Sequence, residues 1–193
     1  MPVPRLIPSR CALLVIDLQE RMMPSIHDAD ATIANTIAMI EIAKLLSIPI
    51  LTTEQNPNGL GKTVASVATA LSGTTPAFAK TQFSAMTKEV DAHLKQLGRS
   101  DILLCGVETH ICVLQTALDL LASGRQPTLI ADAVSSSEPM QGNHAIRRLE
   151  RGGALTSGVL TASYELMQDS LHPAFKSVLG IVKARASTAS QNA

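Results

Sequence analysis

The chain has 193 residues, 46% of them apolar, and its 16 Lys plus Arg are balanced by 16 Asp plus Glu. That length supports one substantial core rather than two domains, and zero formal charge offers no global field to nucleic acid or an anionic membrane. Three Phe, one Tyr and no Trp make the core aliphatic and leave few rings on which unpaired bases could stack.

The three cysteines, Cys11, Cys105 and Cys112, are odd in number and follow no metal-ligand spacing. Neither a disulfide framework nor a zinc site is indicated, and a reducing, cytoplasmic compartment is expected. The opening stretch MPVPRLIPSR lacks the apolar run of a secretory signal, and its two Arg are all that suggests a mitochondrial presequence. No apolar run approaches the roughly 18 residues that a membrane span needs. One domain over residues 5–184 is expected, followed by a disordered polar tail, 185–193.

In chain order, an apolar run at 12–17 (ALLVID) precedes a helical pattern over 31–46 with Ile33, Ile37 and Ile40 at helical spacing. A second run, IPILTT, covers 48–53, and a third, AFAK, covers 77–80. A helix around Val90, Leu94 and Leu97 is stopped by Gly98; the run DILLCGV (101–107) leads to a helix over 111–122 stopped by Gly124. The run PTLIADAV (127–134), a helix around 145–149, the run ALTSG (154–158), and helices over 162–167 and 173–184 complete the chain. Strands alternating with helices predict an α/β fold, a parallel sheet covered on both faces.

In such a sheet, ligands bind beyond the carboxyl ends of the strands, at the switch point. The residues to inspect are therefore Asp17 and Gln19, then Thr53, Glu54 and Gln55, Lys80, the segment 106–112 and the segment 132–137. Two phosphate motifs fail: IDLQERM has no Gly-rich turn for a dinucleotide, and NPNGLGKT places Asn56 where a P-loop needs its first Gly.

Within GVETHIC, Thr109 is a plausible N-cap that places Cys112 in the first turn of a helix. Free N–H groups and the positive dipole end there stabilise a thiolate, lower the thiol pKa, and could hold the oxyanion of an attacked carbonyl. The competing reading is a plain buried thiol, which is the reading kept for Cys11 and Cys105. Asp17 and Lys80, at strand ends opening onto the same crevice, add an acid/base and a cation to the Cys, the set that acyl transfer requires.

At these residues the chain resembles the isochorismatase-like cysteine hydrolases, and in particular the isochorismatase domain-containing proteins. The matching segments are LLVIDLQE, TTEQNPNGLGKTV, AKTQFSAM, GVETHICVLQTALDLL, LIADAVSS and HPAFKSVLGIVKA, which span nearly the whole chain in order. The resemblance implies a three-layer α-β-α, Rossmann-like fold with a six-stranded parallel sheet. It also implies a catalytic triad of Asp17, Lys80 and Cys112, and a cis peptide between Val107 and Glu108 that turns the Glu108 N–H inward to join the Cys112 N–H as an oxyanion hole. Assembly into homo-oligomers is implied too. Metal-containing nicotinamidases of this superfamily carry an Asp and two His after the second strand; here TTEQNPNG stands there, with no His between His27 and His93. No catalytic metal and no cofactor are therefore expected, and nicotinamide is disfavoured as substrate. Isochorismate is disfavoured as well, because enzymes acting on it do not rely on the cysteine.

The expected function is cysteine hydrolysis of a small-molecule amide or related C–N carbonyl bond through a thioester. Asp17 serves as proton carrier, while Lys80 favours the thiolate and holds Asp17 ionised. Gln19 either orients substrate or water, or caps the strand end. Glu54, Thr109 and His110 are candidate pocket-lining groups, and Phe83 either touches substrate or packs in the core. Two other classes stand beside this one: a non-catalytic ligand-binding or scaffolding protein, and a ribonuclease. The balanced charge, the scarce aromatic residues and five scattered His (27, 93, 110, 144 and 172) argue against the last. The expected partner is a small-molecule substrate, with no nucleic acid and no membrane.

Overall fold

The computed structural model describes residues 3–191, with side chains described as far as Arg185. Six strands, β1 (Cys11–Ile16), β2 (Ile50–Gln55), β3 (Phe78–Lys80), β4 (Asp101–Val107), β5 (Gln126–Ser135) and β6 (Leu155–Ser157), form one sheet in the order β3-β2-β1-β4-β5-β6. Every pairing is parallel. The helices are α1 (Ala29–Leu45), α2 (Pro57–Leu60), α3 (Ala65–Ala70), α4 (Lys88–Leu97), α5 (Leu114–Ala122), α6 (Pro139–Arg151), α7 (Val159–Met167) and α8 (Phe175–Gln191).

Strand β1 is buried at all six positions, as a central parallel strand covered on both faces must be. Its alternate side chains serve two cores. Leu13 and Val15 join Met39, Ile42, Val159, Leu166 and Val178 of α1, α7 and α8. Ala12, Leu14 and Ile16 join Val90, Leu94, Ala117, Leu120 and Leu149 of α4, α5 and α6. This is the three-layer α-β-α architecture expected from the alternation of elements. Helix α4 shows the local signals that make it legible: the Thr87 hydroxyl accepts the Val90 N–H, and Gly98 closes the helix in a left-handed conformation at φ 63°.

Several details depart from the sequence reading. Helices α2 and α3 are too short to carry a periodic signal and are absent from it. Helix α6 starts at Pro139, well before 145–149, because Pro is preorganised for the first turn. Helix α8 is carried to Gln191, across the boundary drawn at 185; the polar tail's side chains from 186 on and residues 192–193 lie outside the described residues. No described helix is long and apolar enough to cross a membrane.

The sheet order reverses between β1 and β4, so the switch point at which such sheets bind ligands lies at their carboxyl ends. Gly106 makes that junction possible: at φ 122°, a Cβ built on it would lie 2.0 Å from the Ile16 carbonyl oxygen. Only a residue without a side chain lets β4 run this close to the end of β1.

Candidate active site

Asp17 leaves β1 in the left-handed region, at φ 54°, a conformation that Asp tolerates better than most residues. Its side chain is completely buried and paired on both oxygens. Oδ1 accepts the Thr53 hydroxyl at 2.8 Å, and Oδ2 accepts the Lys80 ammonium at 2.6 Å. Lys80, at the end of β3, is also fully buried. Its Nζ donates to Gln55 Oε1 at 2.7 Å, the Phe83 carbonyl at 2.9 Å and the Gln82 carbonyl at 3.3 Å, besides Asp17. A buried cation is tolerated when it is paired and hydrogen-bonded in this way.

Cys112 completes the group. Its sulfur feels the Asp17 carboxylate, the Lys80 ammonium and the Glu108 backbone N–H. The residue is 3% exposed. Burial pushes the thiol up to about 12, aided by the negative charge of Asp17 and opposed by the Lys80 cation and the Glu108 amide. The resting side chain is thus a thiol beside a carboxylate. This corrects the sequence reading, in which a helix start lowers the pKa: desolvation of a buried sulfur outweighs the dipole.

The local backbone differs from expectation at Thr109. Residues Thr109–Val113 form a turn of π-helix before α5, and the residue flanking its start is Glu108. Thr109 is buried and its hydroxyl donates to the Ser135 carbonyl at 3.0 Å, so it caps nothing. The peptide bond from Val107 to Glu108 is cis. On the far side of the turn, the Thr116 hydroxyl donates to the Cys112 carbonyl at 2.6 Å and accepts the Ala85 N–H at 2.8 Å. Thr116 therefore links the Cys112 turn to the segment that also supplies the Phe83 and Gln82 carbonyls to Lys80.

The structure thus gathers Asp17, Lys80, Cys112 and the Glu108 amide at one point. The other candidates divide. Gln19 is completely buried, with both amide N–H groups spent on the carbonyls of Gln55 (3.0 Å) and Gly61 (2.6 Å) and its oxygen on the Gln55 N–H (2.7 Å). Those bonds tie β2 to the loop around Gly61. Glu54 binds the Thr63 N–H at 2.7 Å and hydroxyl at 2.8 Å through one oxygen, fastening the loop that carries NPNGLGK. Phe83 does not pack in the core; it is 53% exposed. His110 is partly exposed, with Nδ1 at 3.1 Å from the Ser136 hydroxyl and 3.7 Å from Glu108 Oε2, which also accepts the Ser137 N–H and hydroxyl. Asp132, in the segment after the fifth run, stands apart: it caps α7 through the Val159 N–H and pairs with Arg185 at 2.7 Å.

Two residues at the site escape the sequence reading of roles. Gln55 lies beside Lys80 in the β2–β3 register and holds both its ammonium and, through Nε2, the Thr81 carbonyl at 2.7 Å. Thr116 is the other. Among the described residues, no three His, Cys, Asp or Glu side chains gather in a metal-binding group.

Comparison with known proteins places relatives beside this geometry. Residues 11–159 match the isochorismatase domain. The chain is 38% identical over 183 residues to the secreted isochorismatase effector Isc1 of Phytophthora sojae, covering 93% of this chain and 87% of that protein. It is 38% identical over 182 residues to isochorismatase domain-containing protein 1 of Salmo salar, covering 94% of this chain and 64% of that longer protein. The solved structure of the MAR1 ribonuclease from Caenorhabditis elegans superposes with a TM-score of 0.89 at 36% identity, covering 93% of this chain and 92% of that one.

Proposed function

Because the chain belongs to the isochorismatase family, whose fold is that of a hydrolase, we propose that it cleaves a small-molecule amide or related C–N carbonyl bond with Cys112 as nucleophile. One observation carries the reading: a buried thiol beside the carboxylate of Asp17, itself clamped by a buried Lys80 at 2.6 Å. A structural thiol has no use for a carboxylate held ready to take its proton.

These contacts support the following order of steps. Asp17 takes the thiol proton as the sulfur attacks the carbonyl carbon, and the carbonyl electron pair moves onto oxygen. The N–H groups of Glu108 and Cys112 hold that oxyanion. Collapse of the tetrahedral adduct breaks the C–N bond; the leaving nitrogen takes the proton from Asp17 and departs as the amine, and a thioester remains. Asp17 then removes a proton from water as its oxygen attacks the thioester. The acid leaves, and the proton returns to the sulfur. Since the resting thiol is held protonated, proton removal accompanies attack. Lys80 donates to Asp17 and keeps it oriented toward the sulfur.

The near-complete burial of all three side chains favours a second reading, a binding or scaffolding protein in which the trio is architecture. The name of the Caenorhabditis elegans relative suggests a third, ribonuclease activity. Against it, this chain has balanced charge and few aromatic residues with which to hold RNA. A screen of amides and oligoribonucleotides with wild type and Cys112→Ala separates the three. Loss of amide turnover in a folded Cys112→Ala variant, with an acyl-enzyme captured on Cys112 by mass spectrometry, is the expected result. Full turnover by that variant removes the covalent scheme. Thermal stabilisation by a small ligand without product supports binding alone.

A further inference from the structure

We infer that Gln55 is a positioning residue of the proposed reaction: its amide fixes where the Lys80 ammonium points and, being uncharged, leaves that cation's charge to Asp17 and Cys112. The inference deepens the hydrolase reading above and rests on it for the roles of those two residues.

An ammonium has three N–H donors. The side-chain acceptors of Lys80 are Asp17 Oδ2 at 2.6 Å and Gln55 Oε1 at 2.7 Å; the Phe83 carbonyl follows at 2.9 Å and the Gln82 carbonyl at 3.3 Å. With Gln55 and Phe83 each holding one N–H, the third is directed at Asp17. The far end of the Gln55 amide sets its orientation. Nε2 donates to the Thr81 carbonyl at 2.7 Å, so a flipped amide would turn its N–H groups on the ammonium and its oxygen on a carbonyl. The backbone of Gln55 is fixed as well. It lies beside Lys80 in the β2–β3 register, and its N–H and carbonyl are bonded at 2.7 and 3.0 Å to the side chain of the fully buried Gln19. A line of support thus runs from Gln19 through Gln55 to Lys80 and Asp17.

Charge distinguishes glutamine from glutamate at this position. A carboxylate would reach Lys80 equally well and bind it more strongly. It would also divide the cation between two anions and bring a second negative charge toward the thiol. The Cys112 thiol is pushed up by burial first and by Asp17 next, with Lys80 acting against both. Glu54, Glu108 and His110, the other ionisable groups of these strand ends, stay on Thr63, Ser137 and Ser136 whatever stands at 55.

Two variants of nearly the same length separate direction from charge. Gln55→Met removes the acceptor, whereas Gln55→Glu keeps an acceptor and adds a charge. A residue that serves only the fold tolerates Gln55→Glu better, because Lys80 gains an ion pair. The expected result is a reversed order: Gln55→Glu has the higher urea midpoint of the two, yet its native Cys112 is labelled by iodoacetamide about tenfold or more slowly than wild type between pH 8 and 9. Gln55→Met, which adds no charge, changes that rate by less than about threefold. Labelling is read by peptide mass spectrometry. Rates that simply follow stability overturn the inference, and so does a native Cys112 that the reagent does not reach in any of the three proteins, because the charge at 55 then governs no reactive thiol. A second arm uses an amide found to be turned over by wild type. Both variants are expected to lower kcat at least about tenfold with KM little changed. Wild-type kcat in Gln55→Glu sinks the inference and leaves the hydrolase reading standing. The expected labelling order with no amide turned over upholds the Gln55 contact and sinks the hydrolase reading instead.

Discussion

The ammonium of Lys80 lies 2.6 Å from Asp17 Oδ2, with both side chains entirely out of contact with solvent. Removing one partner of such a pair strands the other charge in a low-dielectric interior. Lys80→Met is expected to cost about 3–5 kcal/mol of stability in urea unfolding. In the double variant Asp17→Asn/Lys80→Met no charge is stranded, so its loss should be clearly smaller than the sum of the two single losses. Additive losses would mean that the pair contributes nothing as a pair, and that Lys80 acts only through its carbonyl and Gln55 bonds.

The three cysteines predict the alkaline limit of the fold. Burial is the chief cause in each case: it raises Cys11 to about 11 and Cys112 to about 12, and shifts Cys105 strongly upward. In the unfolded chain these thiols ionise near 8.5. Below that pH both states keep the protons and the folded state bears no penalty. Above it the unfolded chain loses protons first and gains stability, so folding weakens as pH rises through about 9 toward the folded-state values. Each thiol adds at most about 1.4 kcal/mol per pH unit to the decline. Urea midpoints at pH 7.5, 9 and 10 measure the slope, and Cys105→Ala should make it shallower by about a third in that window. An unchanged slope would show that Cys105 ionises in the folded protein like a free thiol.

Gly106 sets a backbone limit at the same junction. An alanine Cβ there meets the Ile16 carbonyl oxygen at 2.0 Å and adopts φ 122°, a region L residues rarely occupy. Gly106→Ala is expected to cost more than about 3 kcal/mol, by steric displacement of β1 from β4 added to the backbone penalty. Gly73→Ala offers the comparison, since a Cβ at that position has positive φ but nothing within 4 Å. Near-equal losses in the two variants would show that conformation alone, and not strand approach, requires glycine at 106.

Much of this site is legible in the sequence because strand ends are legible. The runs that carry Asp17 and Lys80 are apolar and end sharply, and the switch-point rule directs attention to the residues at their carboxyl ends. Other features depend on facts that a linear pattern does not contain. Gln55 meets Lys80 because β2 and β3 pair in a register that sets 55 beside 80, and no local signal specifies that register. Gln19 and Glu54 are polar residues at strand ends, as binding residues are, yet they fasten the loop around Gly61 and Thr63. Thr109 has the chemistry of a cap, but a turn of π-helix displaces it toward Ser135. The direction of the thiol pKa escapes the sequence because the dipole is visible in spacing, whereas the burial of Cys112 is a property of the packed fold.

Thr116 carries the last prediction. Its hydroxyl joins the Cys112 carbonyl to the Ala85 N–H, while Phe83 and Gln82, just upstream of Ala85, give their carbonyls to Lys80. A ring of contacts therefore runs from Cys112 through Asp17 and Lys80 to this segment and back to the backbone of Cys112. Thr116→Val keeps shape but leaves a buried N–H and carbonyl without that bond, at about 1–3 kcal/mol. If Cys112 is the proposed nucleophile and Thr116 positions it relative to Lys80, kcat for an amide found to be turned over by wild type should fall at least about tenfold, with KM little changed, because misplacement costs most in the transition state. Thr116→Ser restores the hydroxyl and should recover most of kcat even if stability stays reduced. Activity that tracks stability alone across Thr116→Val and Thr116→Ser would reduce the residue to a packing role.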